Sequence, residues 1–170
     1  RGLCVDTSSN KLYVACKTVL ELNLDGSGER IAFDSHRVDL GEPTIYEGKF
    51  YFAASGWGET GIYTATLNPN KTVKASRFLA SDDVTSLALI KNSSQLYYVL
   101  RDKDEIRVID LNETNVISKL VLHWTSYNNI IRTIAVSGEY LFWTERTFYA
   151  LWDRYSWRLT GGKIKKGVVT

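Results

Sequence analysis

Three tripeptides in this chain can accept a covalent oligosaccharide. Asn70-Lys71-Thr72, Asn92-Ser93-Ser94 and Asn112-Glu113-Thr114 each place a hydroxyl residue two positions after an asparagine, with no proline between. Using such sites requires a secretory route, so a secreted or extracellular protein is expected. Cys4 and Cys16 fit an oxidising compartment and are disulfide candidates. Their pairing stays open. A turn over Thr7–Asn10 would set Cys4 opposite Tyr13 and Cys16 opposite Arg1 on the other face, which forbids a Cys4–Cys16 bond unless a bulge shifts the parity. The alternatives are two buried thiols or bonds to segments outside these residues.

Catalytic chemistry is sparse. His36 and His123 are the only histidines, and neither has metal-ligand spacing or belongs to an HExxH or CxxC pattern. Gly56-Trp57-Gly58-Glu59 lacks the glycine fingerprint of a phosphate loop and reads as a tight loop, and Ser55-Gly56 and Ser137-Gly138 lack a nucleophile elbow. No enzyme, metal or cofactor is expected from these patterns.

The elements that position these residues are short strands. Leu12-Tyr13-Val14, Phe50-Tyr51-Phe52, Leu96-Tyr97-Tyr98 and Leu141-Phe142-Trp143 recur with a period of roughly 40–50 residues, the spacing of propeller blades. Leu24-Asp25, Leu67-Asn68 and Leu111-Asn112 repeat at a second matching place. Each unit divides into β-runs separated by turn residues, such as Asn10, Asp25-Gly26-Ser27-Gly28 and Glu47-Gly48. The expectation is an all-β chain, a β-propeller with four blades of four antiparallel strands, spanning approximately 1–36, 37–80, 81–124 and 125–170 in a single domain or segment. The fourth unit becomes irregular through Phe148–Trp157 before a last strand over Lys163–Val169.

Composition agrees with an ordinary globular core: 44% of residues are hydrophobic and 24% charged. A net charge of +2, from 21 basic and 19 acidic residues, gives no field that would recruit nucleic acid or an anionic membrane. No apolar run is long enough to span a bilayer, and Arg1-Gly2-Leu3 does not resemble a signal peptide, so a soluble chain with its leader absent is expected.

Gly2-Leu3-Cys4-Val5-Asp6, Lys11-Leu12-Tyr13-Val14 and Leu22-Asn23-Leu24-Asp25-Gly26-Ser27-Gly28 together resemble a low-density-lipoprotein-receptor class B repeat, the YWTD propeller repeat. Phe142-Trp143-Thr144-Glu145 is similar to the tetrapeptide that gives those repeats their name. The other units carry Tyr13-Val14-Ala15-Cys16, Tyr51-Phe52-Ala53-Ala54 and Tyr98-Val99-Leu100-Arg101 there, so the acidic end that ties neighbouring blades in that family is lost in three units. The resemblance implies a six-bladed ring and an extracellular receptor-like, protein-binding role. This chain supplies four units, and is therefore expected to be part of a larger, six-bladed propeller, with closure as four blades alone or completion by a second chain as the alternatives.

In a propeller, loops joining first to second and third to fourth strands share one face, and the remaining loops share the other. All three sequons fall on the first face. The opposite face would carry Gly56–Thr60, Arg101–Asp104, Trp124–Asn129 and Arg146, whose aromatic and basic residues suit an interface. Trp57, Glu59, Arg101, Lys103, Trp124, Tyr127 and Arg146 are the expected ligand-binding residues, for a protein or peptide partner. Tyr149, Trp152, Tyr155 and Trp157, interleaved with Arg154 and Arg158, read as a protein-binding rim or a seam to a missing blade rather than a nucleic-acid site. The alternatives are a calcium-dependent lactonase or esterase, drawing donors from Glu42, Asp82, Asp83 and Asp6, and a structural subunit completed by another chain.

Overall fold

The computed structural model describes residues 2–15, 18–34, 39–55, 60–67, 73–81, 83–90, 93–123, 129–138, 140–147 and 162–168. Its strands form four sheets, and helical structure among the described residues is confined to 3-10 conformation, at Ser93 and at Arg101–Lys103. The all-β expectation is met.

The first sheet contains β1 (Gly2–Asp6), β2 (Lys11–Ala15), β3 (Thr18–Asn23) and β4 (Arg30–Asp34), each antiparallel to the one before it. Cys4 lies opposite Tyr13 and Gly2 opposite Ala15, the register that a four-residue turn predicts; Cys16 lies outside the described residues. The second sheet is β5 (Asp39–Tyr46), β6 (Lys49–Ser55), β7 (Gly61–Thr66) and, after the two-residue β8 (Val73–Lys74), β9 (Ser76–Ala80). The β5–β6 hairpin turns on Glu47 and Gly48 at φ +48° and +72°, as a two-residue turn matching strand twist requires. The third sheet is β10 (Val84–Ile90), β11 (Gln95–Leu100), β12 (Glu105–Asp110) and β13 (Lys119–His123). The fourth is β14 (Asn129–Ser137), β15 (Tyr140–Thr147) and β16 (Gly162–Val168).

Three details differ from the sequence reading. The expected single strand over Val73–Leu79 is two strands, because Val73 and Lys74 leave the second sheet and run parallel to Phe33 and Asp34 on β4. The last strand, expected to be fourth in its unit, pairs directly with β15 and so lies third among the described strands. The tetrapeptide of the third unit is shifted by one residue. Lys11, Lys49, Gln95 and Tyr140 open the second strands opposite the ends of the first, so Tyr97-Tyr98-Val99, not Tyr98-Val99-Leu100, stands in register with Tyr13-Val14-Ala15. A slip of one residue exchanges the two faces of a strand, so this changes which side chains meet which neighbour.

The core lies between sheets. Tyr13, Ala15, Val19 and Phe33 of the first sheet pack on Phe50, Phe52 and Tyr63 of the second. Tyr51, Ala53 and Ile62 meet Leu87, Leu96, Tyr98 and Ile109 of the third, whose Tyr97, Val99 and Ile106 meet Ile131, Ile134, Leu141 and Trp143 of the fourth. The innermost strands follow one another around an axis: β1 touches β5, β5 touches β10, and β10 touches β14. Gly2 permits the first of these contacts, since a Cβ there would stand 2.5 Å from the Cα of Glu42 and 2.7 Å from the Cδ of Pro43. Bulges recur at one place on the inner strands, between Leu40 and Pro43, Val84 and Ser86, and Ile131 and Thr133.

Candidate functional site

The loop face expected to be free of sequons includes the turn that follows β11 in the third sheet. β11 ends at Leu100, and the chain turns through Arg101–Lys103 before Asp104 adopts the left-handed conformation at φ 49° that returns it to β12. Aspartate tolerates that region because its short polar side chain interacts locally. The turn is held from below: the Arg101 N–H donates to the Asp83 carbonyl at 3.2 Å, and the Asp104 N–H donates to the Arg101 carbonyl at 3.2 Å. The Arg101 guanidinium forms an ion pair with the Asp83 carboxylate, which sits just before β10, and its Nε is 3.7 Å from Asp102 Oδ1. The turn also touches β14, so it bridges the third and fourth sheets near the axis.

Charge is concentrated here. Lys103 and Asp102 are exposed, while Asp83 and Asp104 are half-buried. Burial pushes the Asp83 carboxyl above its usual range despite the opposing pull of Arg101. Burial also raises Asp104, against the attraction of His123. Asp104 Oδ1 is enclosed without a hydrogen-bond partner among the described residues. Both groups bind protons more tightly folded than unfolded, so their contribution to stability falls as pH rises from about 3.8 through their folded values. Asp104→Asn, which removes the charge but keeps a residue suited to φ 49°, is expected to stabilise the fold at neutral pH by up to about 1 kcal/mol. It should also flatten the acid side of the stability–pH curve. Urea midpoints at pH 4, 5 and 7 check this, and a midpoint lowered at pH 7 would refute it.

Of the expected ligand-binding residues, the structure brings Arg101 and Lys103 onto one turn, with Arg101 engaged by Asp83. Arg146 lies near the end of β15, opposite Ile130 and Gly162, at the same end of its strand as Leu100 in β11. Trp57, Glu59, Trp124 and Tyr127 lie outside the described residues, as do Asn70, Asn92 and the Tyr149–Arg158 cluster. Asn112 is exposed on the opposite face, where its Oδ1 accepts from the Tyr46 hydroxyl at 3.3 Å and its N–H donates to Asp110 Oδ1 at 2.9 Å.

Among the described residues, the carboxylates considered as calcium donors form no group of three or more that could hold a metal ion. Asp6 caps its own turn, accepting from the Ser8 N–H at 3.0 Å, the Ser8 hydroxyl at 2.6 Å and the Ser9 hydroxyl at 2.7 Å. It ends β1, whereas Asp83 precedes β10, at the other end of the inner strands. Glu42 lies on the axis, where its Oε2 accepts from Ser86 Oγ at 2.9 Å, and that same hydroxyl accepts from the Ile134 N–H at 3.2 Å. These bonds join the second, third and fourth sheets. Asp82 lies outside the described residues. Sequence reasoning missed Ser86, since a lone serine within an apolar strand carries no pattern that marks it.

No sequence profile of a known protein family matches the chain, and no curated protein matches it. Solved structures do. The computationally designed protein Ika4 superposes with a TM-score of 0.60 at 11% identity, over 99% of this chain and 90% of that one. A chain of the nidogen/laminin complex gives 0.63 at 17% identity over 87% of this chain, and a gluconolactonase from Xanthomonas campestris gives 0.63 at 12% over 85%. This chain spans 58% and 55% of those two natural chains. At these identities the likeness shows the fold, a β-propeller. No helix of the described residues is long and apolar enough to cross a membrane.

Proposed function

We propose that this chain is the protein-binding part of an extracellular, N-glycosylated propeller of the YWTD type, and that its ligand meets the loop face carrying Arg101–Asp104. The observation that carries this reading is the turn itself: two backbone hydrogen bonds and the Asp83–Arg101 ion pair hold it, while Lys103 and Asp102 remain exposed. A turn fixed before binding loses little entropy on association. Arg101 acts as a positioning residue, and Lys103 with Asp102 makes the contact. Asn112 sits on the other face, where a glycan leaves the ligand side open. The likeness to a chain of the nidogen/laminin complex supports protein recognition, and the sequons support secretion.

The test is panning of the chain against a displayed random-peptide library, followed by titration of the selected peptides. Peptides carrying acidic residues should bind, and Lys103→Glu should weaken them about tenfold, the loss of one charge-assisted contact. Asn112→Gln should leave binding unchanged and remove one glycan mass from secreted material. Undiminished binding by Lys103→Glu would overturn the assignment. Hydrolysis of gluconolactone by the chain in the presence of calcium would favour the lactonase alternative instead.

A further inference from the structure

Two of the three sequons meet at one end of the third sheet. Ser94, the hydroxyl residue of Asn92-Ser93-Ser94, immediately precedes β11, and Asn112 follows the end of β12 at Asp110. Antiparallel pairing of Gln95 with Asp110 brings both to the same place. There a single oxygen serves them: Asp110 Oδ1 accepts from the Ser94 hydroxyl at 2.5 Å and from the Asn112 N–H at 2.9 Å. The Ser94 hydroxyl, and after it the Asn112 N–H, hold the Asp110 carboxyl below its usual range, so the acceptor is ionised at neutral pH.

The consequences for the two sequons are opposite. Ser94 is 4% exposed, its backbone is left-handed at φ 55°, and its carbonyl accepts from the Leu111 N–H at 3.0 Å. Its hydroxyl is therefore spent inside the fold, yet that hydroxyl is part of what a glycosylating enzyme must reach, since the acceptor pattern requires it. Asn112, Glu113 and Thr114 are all exposed. The Tyr46 hydroxyl donates to the Asn112 amide oxygen at 3.3 Å, a contact that does not use the amide nitrogen, the atom a sugar joins.

We propose that folding selects between these sequons: Asn112 is the acceptor that the folded chain offers to oligosaccharide transfer, and the Asn92 sequon stays closed while Ser94 is bonded to Asp110. This rests on the glycoprotein part of the proposed function. In the transfer the Asn112 amide nitrogen attacks the anomeric carbon of a lipid-pyrophosphate-linked oligosaccharide. A C–N bond forms, the C–O bond to pyrophosphate breaks with its electron pair leaving on the lipid pyrophosphate, and the amide proton passes to a base of the enzyme. Freeing Ser94 first costs a charge-assisted hydrogen bond, which slows transfer to Asn92 about tenfold or more.

The test supplies the unglycosylated 170-residue chain with a purified oligosaccharyltransferase and a lipid-linked oligosaccharide, and reads each site by glycopeptide mass spectrometry. Synthetic peptides of residues 88–97 and 108–117 are the unfolded references, and both should be modified. In the folded chain, relative to those peptides, Asn112 should be modified at least about tenfold faster than Asn92. Asp110→Ala, which frees the Ser94 hydroxyl, should raise modification of Asn92 with the circular dichroism spectrum unchanged, whereas Asp110→Asn, which keeps an acceptor oxygen, should raise it less. Equal modification of the two sites in the folded wild-type chain would overturn the proposal, as would an Asn112 modified in its peptide but not in the chain. Because the enzyme is supplied, neither result depends on a secretory route. A chain that shows the expected selectivity here yet leaves cells without glycan would support the proposal and overturn the glycoprotein reading alone.

Discussion

Phe50→Ala is expected to cost about 3–5 kcal/mol, a large part of the stability of an ordinary domain. The ring is fully buried and makes edge contacts with Tyr13 at a centroid distance of 4.5 Å and with Phe33 at 4.9 Å. Removing it opens a cavity between the first and second sheets that the strands cannot close, since both are held by their ladders. The informative comparison is Leu12→Ala, at the same place in the repeat. Leu12 faces outward and is half-buried, so its truncation should cost about 1 kcal/mol in the single chain, near the centre of the range for point substitutions. Urea unfolding at high dilution measures both. Equal losses would mean that Leu12 is packed as tightly in its sheet as Phe50 is between its two.

That contrast also marks how far the residues could be read before the fold was seen. Alternation placed the strands, and the recurring tyrosine-centred triplets placed the sheets, because a half-buried strand must repeat every second residue. The limits lay in parity. Tyr97 and Tyr98 both fit a tyrosine at the start of the tetrapeptide, and only the pairing of Gln95 with Ile90 chooses Tyr97. Two of the inner-strand bulges were invisible as well, since no glycine stands at Thr85 or Arg132 to announce them, while Gly41 marks the third only by a residue type that turns share. Val73 and Lys74 leave their own sheet for β4 because of a neighbour distant in sequence, which local pattern cannot report.

The candidate site was legible in a different way. Arg101–Asp104 was readable as a charged turn between two strands, because its composition and spacing suffice for that. The Asp83–Arg101 pair was not, since it joins the loop before the first strand to the loop after the second, and only the hairpin register brings them together. The pairing turns an expected contact residue into one that shapes the turn, and shifts the binding prediction to Lys103.

Ser86→Ala should destabilise the chain by about 2–4 kcal/mol, more than a typical buried hydroxyl, because one oxygen serves two partners on two other sheets. Ser86 is 1% exposed. Without it the Glu42 carboxylate loses a donor and the Ile134 N–H loses its acceptor, both beside the axis. The loss should appear as faster separation of the sheets as well as a lower urea midpoint, with amide exchange at Ile134 accelerated more than at Leu96, which lies on the second strand of the same sheet as Ser86. A second substitution sharpens the reading. Glu42→Leu in the Ser86→Ala background removes the stranded carboxylate, and should recover part of the loss because an unpaired charge costs more than an apolar replacement of similar volume. A Ser86→Ala penalty below about 0.5 kcal/mol, with no gain from Glu42→Leu, would mean that water replaces the hydroxyl at the axis and that the seams between sheets depend on apolar packing alone.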